Sequence, residues 1–266
     1  MPLKYTNKLQ DKRVLIFGAT SGIGYAVAEA SIEHGAKLII SGSKQERLLR
    51  TIERLKASYP DIKDDQIVPL PLDLSPVSEL EQKLPEFLSA ASENGTKKID
   101  HIVFTAGDMV NLSAGIAAAS YSYINSIMAI RLIAPTLIAK EIAAADYKYV
   151  NKSAQTSITL TSGTAHLRSR NGWSVVAMVS AALEGICHGL AVDLAPVRVN
   201  VVNPGVVNTE LLGGAPAEII EKFKETTLTK KLGQPEDIAE AYLYSMKDSS
   251  ADGSTILSDN GKVLAS

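Results

Sequence analysis

The chain has 266 residues, with 27 Lys and Arg against 29 Asp and Glu and a net charge of −2, so charge alone gives no drive toward nucleic acid or an anionic membrane surface. With 45% hydrophobic and 5% aromatic residues it has the apolar content of an α/β domain, while one cysteine allows no internal disulfide and the sequence has no metal-ligand spacing. The start, Met1 to Asp11, lacks the apolar stretch of a secretory signal and no apolar run reads as a membrane span, so a soluble, cytoplasmic protein is expected.

In chain order, strand-like and helix-like segments alternate. Arg13 to Ala19 is strand-like and is followed by a helix from Ile23 to His34, with Gly35 as its stop. Ala36 to Ser41 is the next strand, then the charged helix Lys44 to Ser58, ended by Tyr59-Pro60. Gln66 to Leu72, a helix from Ser78 to Asn94, and the apolar strand Ile99 to Thr105 follow. Tyr121 to Ala145 reads as one long helix in which Pro135 marks a kink or a late start. Ser157 to Thr161 is a strand, Trp173 to Ala195 a long helix carrying Cys187 as a small core residue, and Val197 to Val202 a strand closed by Asn203-Pro204-Gly205. Helices Ala217 to Thr226 and Pro235 to Lys247 precede a last strand, Ser254 to Leu257. Six or seven βα units without a linker or repeat predict one Rossmann-like, doubly wound parallel sheet spanning residues 1–266, a single α/β domain.

In such a sheet, ligands sit at the C-terminal strand ends. There the chain has Phe17-Gly18-Ala19-Thr20-Ser21-Gly22-Ile23-Gly24, a glycine turn between a strand and a helix. Such a turn presents bare backbone N–H groups and a helix N-terminus to a pyrophosphate, although the spacing is Gly-x-x-x-Gly-x-Gly. The second strand ends in Ser41-Gly42-Ser43-Lys44, with no carboxylate to bind ribose hydroxyls. Ser41, Ser43 and Lys44 suit a 2′-phosphate instead, so NADP(H) is expected over NAD(H).

These motifs in series resemble the short-chain dehydrogenase/reductase family. Gly18 to Gly24 resembles its cofactor turn, Asp73-Leu74 the acid beside the adenine, and Thr105-Ala106-Gly107 the Asn-Ala-Gly after the fourth strand. Val197 to Gly205, with Val207 and Thr209 beyond, resembles the segment beside the nicotinamide. Gly233 to Ala239 and Asp259-Asn260-Gly261 resemble its C-terminal signature. The resemblance implies cofactor contacts from Gly18, Thr20, Ser21, Gly22, Ile23, Gly24, Asp73, Leu74, Thr105, Ala106, Gly107, Pro204, Gly205, Val207 and Thr209. It also implies a homodimer or homotetramer built on the two long helices.

The active site departs from the family. Aligned on Ala181-Ala182-Leu183, Val176 stands at the position of the proton-donating Tyr and Ser180 at that of its Lys, with Gly163 at the Ser and Arg131 at the Asn. The Tyr-x-x-x-Lys from Tyr59 to Lys63 contains Pro60 and is a coincidence of spacing. Losing one stabilising donor costs on the order of 10²–10³ in rate, so ordinary ketone reduction is not expected. Three readings remain. The first is reduction of an iminium or imine, which needs no acid. Thr161-Ser162-Gly163 and Gly172-Trp173-Ser174, with Arg131, resemble a divergent group including the fungal reductase/Diels–Alderases of the malbrancheamide and paraherquamide pathways. In that group an acid stands three before the Trp, where this chain has Arg170. The second is that other groups bordering a small-molecule substrate, namely Arg131, Asp108, His166 and Trp173, have taken over catalysis, Arg131 polarising a carbonyl or enolate oxygen and His166 supplying a proton; reduction of a C=N or activated C=C bond is the expected work. The third is a non-catalytic NADP(H)-binding sensor or partner subunit.

Overall fold

The computed structural model describes residues 4–107 and 115–265. Among these, runs rich in Val, Ile and Leu, too short for stable helices, form seven strands. They are β1 (Arg13–Phe17), β2 (Lys37–Gly42), β3 (Ile67–Pro71), β4 (His101–Phe104), β5 (Ser157–Thr161), β6 (Arg198–Pro204) and β7 (Thr255–Ser258). They pair in one parallel sheet of order β3-β2-β1-β4-β5-β6-β7. Pro69 and Pro71 lie in β3, an edge strand, where their missing N–H groups cost least. The strand order reverses between β1 and β4, which opens a crevice above their ends. The register brings those ends level, since Phe17 of β1 pairs with Ser41 on one side and Phe104 on the other.

Alternation along β1 feeds both faces of the sheet. Leu15 and Phe17 join a core with Leu80, Leu84 and Leu88 of α3 (Val77–Ala91), Ile138 and Ile142 of α5 (Ala134–Ala144), and Leu183 of α6 (Ser174–Asp193). Val14 and Ile16 join the opposite core, under α1 (Gly22–Glu33), α2 (Gln45–Ser58) and α8 (Pro235–Lys247). The shorter helices are α4 (Tyr121–Met128) and α7 (Ala217–Glu225). Arg198 of β6 is 2% exposed and donates to four carbonyls: Ala154 at 2.6 Å, Ser245 and Ala251 at 2.8 Å, and Met246 at 3.2 Å. Two of these belong to the last turn of α8, whose negative dipole end holds the buried charge.

Two helical expectations need correction. Tyr121 to Ala145 is not one helix, because a π-helical turn, Ala129–Ile133, separates α4 from α5. Pro135 has no N–H for the carbonyl four residues back and its ring crowds that carbonyl, which widens the turn preceding α5 and carries Arg131 within it. Second, α6 has a mean hydropathy of 1.8 and is long and apolar enough to cross a bilayer, so one run does reach that length and composition. In this fold its inner side packs on β6, where Cys187 donates to Val199 O at 3.3 Å and burial raises the thiol to about 12.

Candidate active site

The glycine turn is held against the end of β4 with little tolerance. Thr105 Oγ1 donates to Phe17 O at 2.9 Å, and Gly18 turns with a φ of +89° where a side chain would meet Ala106 N at 2.7 Å. A methyl group at Gly24 would collide with Gly18 O and Thr105 Oγ1. This packing leaves Thr20, Ser21, Gly22 and Ile23, at the start of α1, lining a groove of about 620 Å³. Its affinity for anions is visible in the structure, because Gly22 N donates to the Glu210 carboxylate at 2.9 Å.

Farther along the groove, Ser41 Oγ is buried and has no hydrogen-bond partner among the described residues. Ser43 lines the same stretch, as does Arg47 from the first turn of α2. Lys44 is the exposed residue capping α2 and does not line the groove; Arg47, which the sequence reading missed, supplies the cation there. Asp73 and Leu74 close this end. Asp73 accepts hydrogen bonds from Ser75 N at 2.9 Å and Ser75 Oγ at 2.8 Å, which hold its carboxyl below the usual range. The groove thus offers a helix N-terminus, a buried hydroxyl without a partner and the Arg47 cation beside Ser43, together with the carboxylates of Asp73 and Glu210.

A second cavity, of about 320 Å³, shares Pro204, Gly205, Val207, Thr209 and Leu211 with the first, so the two are continuous along the loop after β6. Its walls are apolar: Trp173, Val176, Val179 and Leu183 from the start of α6, with Leu212 and Phe223 opposite. Ser162 and Ser180 line it and bond to each other, Ser162 Oγ donating to Ser180 O at 3.1 Å. Among its described lining residues there is no tyrosine, histidine or carboxylate, and the charged ones are Arg131 and Lys262. Arg131 comes from the π turn, and its guanidinium lies against the backbone of Gly107, which lines the first cavity. It therefore stands where the two cavities meet.

The other sequence candidates separate. Trp173 lines the second cavity, its ring 5.4 Å from Lys262 Nζ and 5.9 Å from the Arg170 guanidinium. His166 is not among the lining residues. Its Nε2 lies 2.9 Å from Glu184 Oε1 in an ion-pair contact without hydrogen-bond geometry, and Asn203 Nδ2 donates to the same oxygen at 2.6 Å. Glu184 on α6, itself held by Asn203 of β6, thus draws this loop side chain away from the cavity. Asp108 lies outside the described residues. Thr105, Ala106, Gly107, Pro204, Gly205, Val207 and Thr209 all line the first cavity. Tyr59 donates to Glu33 Oε1 at 2.7 Å at the end of α2 and takes no part in either cavity.

A family model for an SDR-like Rossmann domain matches residues 5–265. The chain belongs to the short-chain dehydrogenase/reductase family. Members of this family are oxidoreductases that bind a nicotinamide cofactor. It is 41% identical to the short-chain dehydrogenase/reductase malC of Malbranchea aurantiaca over 96% of each chain. It is 38% identical to the short-chain dehydrogenase/reductase ucsE of an Acremonium species over the whole of both chains. The solved structure of MalC reductase/Diels–Alderase superposes with a TM-score of 0.88 at 39% identity, covering 98% of this chain and 99% of that one. In this short-chain dehydrogenase/reductase, Val176 and Ser180, one turn apart on α6, line the second cavity.

Proposed function

We propose that this protein is an NADP(H)-dependent reductase of an electron-poor C=N bond or an activated C=C bond in a specialised metabolite. The observation that carries the reading is the composition of the second cavity: apolar walls, with two cations and no phenol among its described lining residues, opening directly onto the first groove. When bound, the dinucleotide supplies hydride. Arg47, Ser41 and Ser43 line the part of the groove where they would hold a 2′-phosphate, which favours NADP(H) over NAD(H). Hydride delivered to a ketone leaves an alkoxide that needs a proton, whereas an iminium carbon accepts hydride with no acid at all. An α,β-unsaturated carbonyl needs its oxygen stabilised, and Arg131 is a permanently charged donor on the cavity wall. Val176, Val179 and Leu183 exclude water from the reacting face.

Likeness to MalC, a reductase/Diels–Alderase, supports this reading and favours a second one, a coupled cyclisation in the same cavity. Holding two reactive ends in an apolar enclosure is orientation catalysis and requires no titrating group. Met178 and Val192, exposed on the outer side of α6, support burial of that helix against a second copy of the chain.

The test is loss of NADPH absorbance with a panel of cyclic imines, enones and ketones, beside calorimetric titration of NADPH and NADH. Imines or enones are expected to turn over while ketones do not, with NADPH bound more tightly than NADH. Tight NADPH binding with no turnover of any panel member would leave a non-catalytic binder instead.

A further inference from the structure

The C-terminal turn carries a charged group that the sequence reading left unassigned. Lys262 follows Asp259-Asn260-Gly261, and its backbone is held twice: Lys262 N donates to Asp259 O at 3.1 Å, and Arg168 Nη1 donates to Lys262 O at 2.9 Å. These contacts anchor the residue so that it lines the second cavity at only 2% exposure. Its ammonium donates to Thr164 Oγ1 at 3.3 Å and sits 5.4 Å from the Trp173 ring. Among the described residues no carboxylate lies within ion-pair distance of it.

The surrounding charges do not compensate it. Asp259 is the one nearby acid, and its two oxygens accept from Gly261 N at 2.9 Å and Val263 N at 2.8 Å. Arg168 and Arg170 add positive potential, the latter with its guanidinium 5.4 Å from the Phe223 ring on the cavity wall. Burial first, then Arg170, lowers the Lys262 ammonium to about 8. A buried ammonium kept only for packing would be expected to have a counter-ion, and here the open side of Lys262 is the cavity.

We propose that Lys262 contacts the substrate and binds an anionic oxygen, a carboxylate or an enolate conjugated with the reducible bond, so that the cavity selects acidic substrates over pre-formed iminium cations. This deepens the reductase reading and rests on it. Lys262 and Arg131, which both line the cavity, then act on one substrate, and Arg170 adds to the same field.

Trp173 is the single tryptophan of the chain and touches both the cavity and Lys262, so its fluorescence reports occupancy there. The probe is 5,5-dimethylcyclohexane-1,3-dione, an enolate at neutral pH, against its neutral methyl enol ether and an N-methyl cyclic iminium, each titrated with and without NADP⁺. Wild type is expected to bind the enolate at least about tenfold more tightly than either comparison compound, an advantage that fades as pH rises through 8. Lys262→Met should erase the preference and Lys262→Arg should restore part of it. Equal binding of the three probes by wild type, or an unchanged preference in folded Lys262→Met, would overturn the proposal. The titration without NADP⁺ and the enone and imine turnover of Lys262→Met separate this failure from failure of the reductase reading.

Discussion

The Arg131 guanidinium rests on the backbone of Gly107, so closely that a methyl group there would come within 2.6 Å of Cζ and 2.7 Å of Nη2. A π turn on one side and the end of β4 on the other thus fix a permanent cation at the mouth between two cavities. Gly107→Ala should push the guanidinium aside without removing it. We expect Arg131→Ala to lower kcat on the order of 10²-fold and Gly107→Ala about tenfold, each with NADPH affinity held within about threefold. Stopped-flow turnover beside calorimetry checks this; unchanged kcat in Arg131→Ala removes its role.

Glu210 occupies the N–H that a dinucleotide phosphate would use, Gly22 N to Oε2 at 2.9 Å. A bound phosphate must displace this carboxylate and suffers its repulsion. Glu210→Ala should therefore tighten NADP(H) about two- to fivefold, the worth of one anion at a helix N-terminus. Weaker binding would mean that the loop after β6 holds the nucleotide through Glu210 rather than competing with it.

The choice of dinucleotide should follow Arg47 and not its neighbour. Arg47→Ala is expected to weaken NADPH about tenfold while leaving NADH unchanged, whereas Lys44→Ala, outside the groove, should change neither by more than about twofold. Paired titrations of the two variants decide it.

Two buried bases tie stability to pH in separate windows. His101 on β4 lies 2.9 Å from Ser157 Oγ, and burial lowers its imidazole from 6.5 to about 3. The unfolded chain then binds more protons below pH 6.5, so stability falls as pH drops through that value, by up to about 1.4 kcal/mol per unit. Lys262, lowered from 10.5 to about 8, gives the same sign higher up: stability rises with pH between those values. Denaturant melts across pH should show a shallower acid limb in His101→Asn and no alkaline rise in Lys262→Met.

The dinucleotide groove was legible because backbone makes it. Gly18 and Gly24 are required by contacts no side chain fits, and such positions leave a mark in sequence. Arg47 was missed because the chain leaves β2 at Ser43 and only the first turn of α2 brings residue 47 back over the groove. Lys262 was missed for a topological reason: a turn after the last strand returns it beside Trp173, 89 positions earlier, and no local pattern announces that. His166 failed in the opposite direction, its loop position suggesting the cavity while Glu184 on a neighbouring helix holds it elsewhere. Pro135 marked the break in the long helix but could not reveal that the break takes π form and aims Arg131.

The most direct measurement follows isotope rather than absorbance: incubation of the protein with [4-²H]NADPH and an enone, an imine and a ketone, reading deuterium in each product by mass spectrometry and NMR. Deuterium should appear at the β-carbon of the enone or the former C=N carbon of the imine, and disappear in Arg131→Ala for the enone. Deuterium at a carbinol carbon from the ketone, or in no product while NADPH binds tightly, would contradict a reductase that works without a tyrosine.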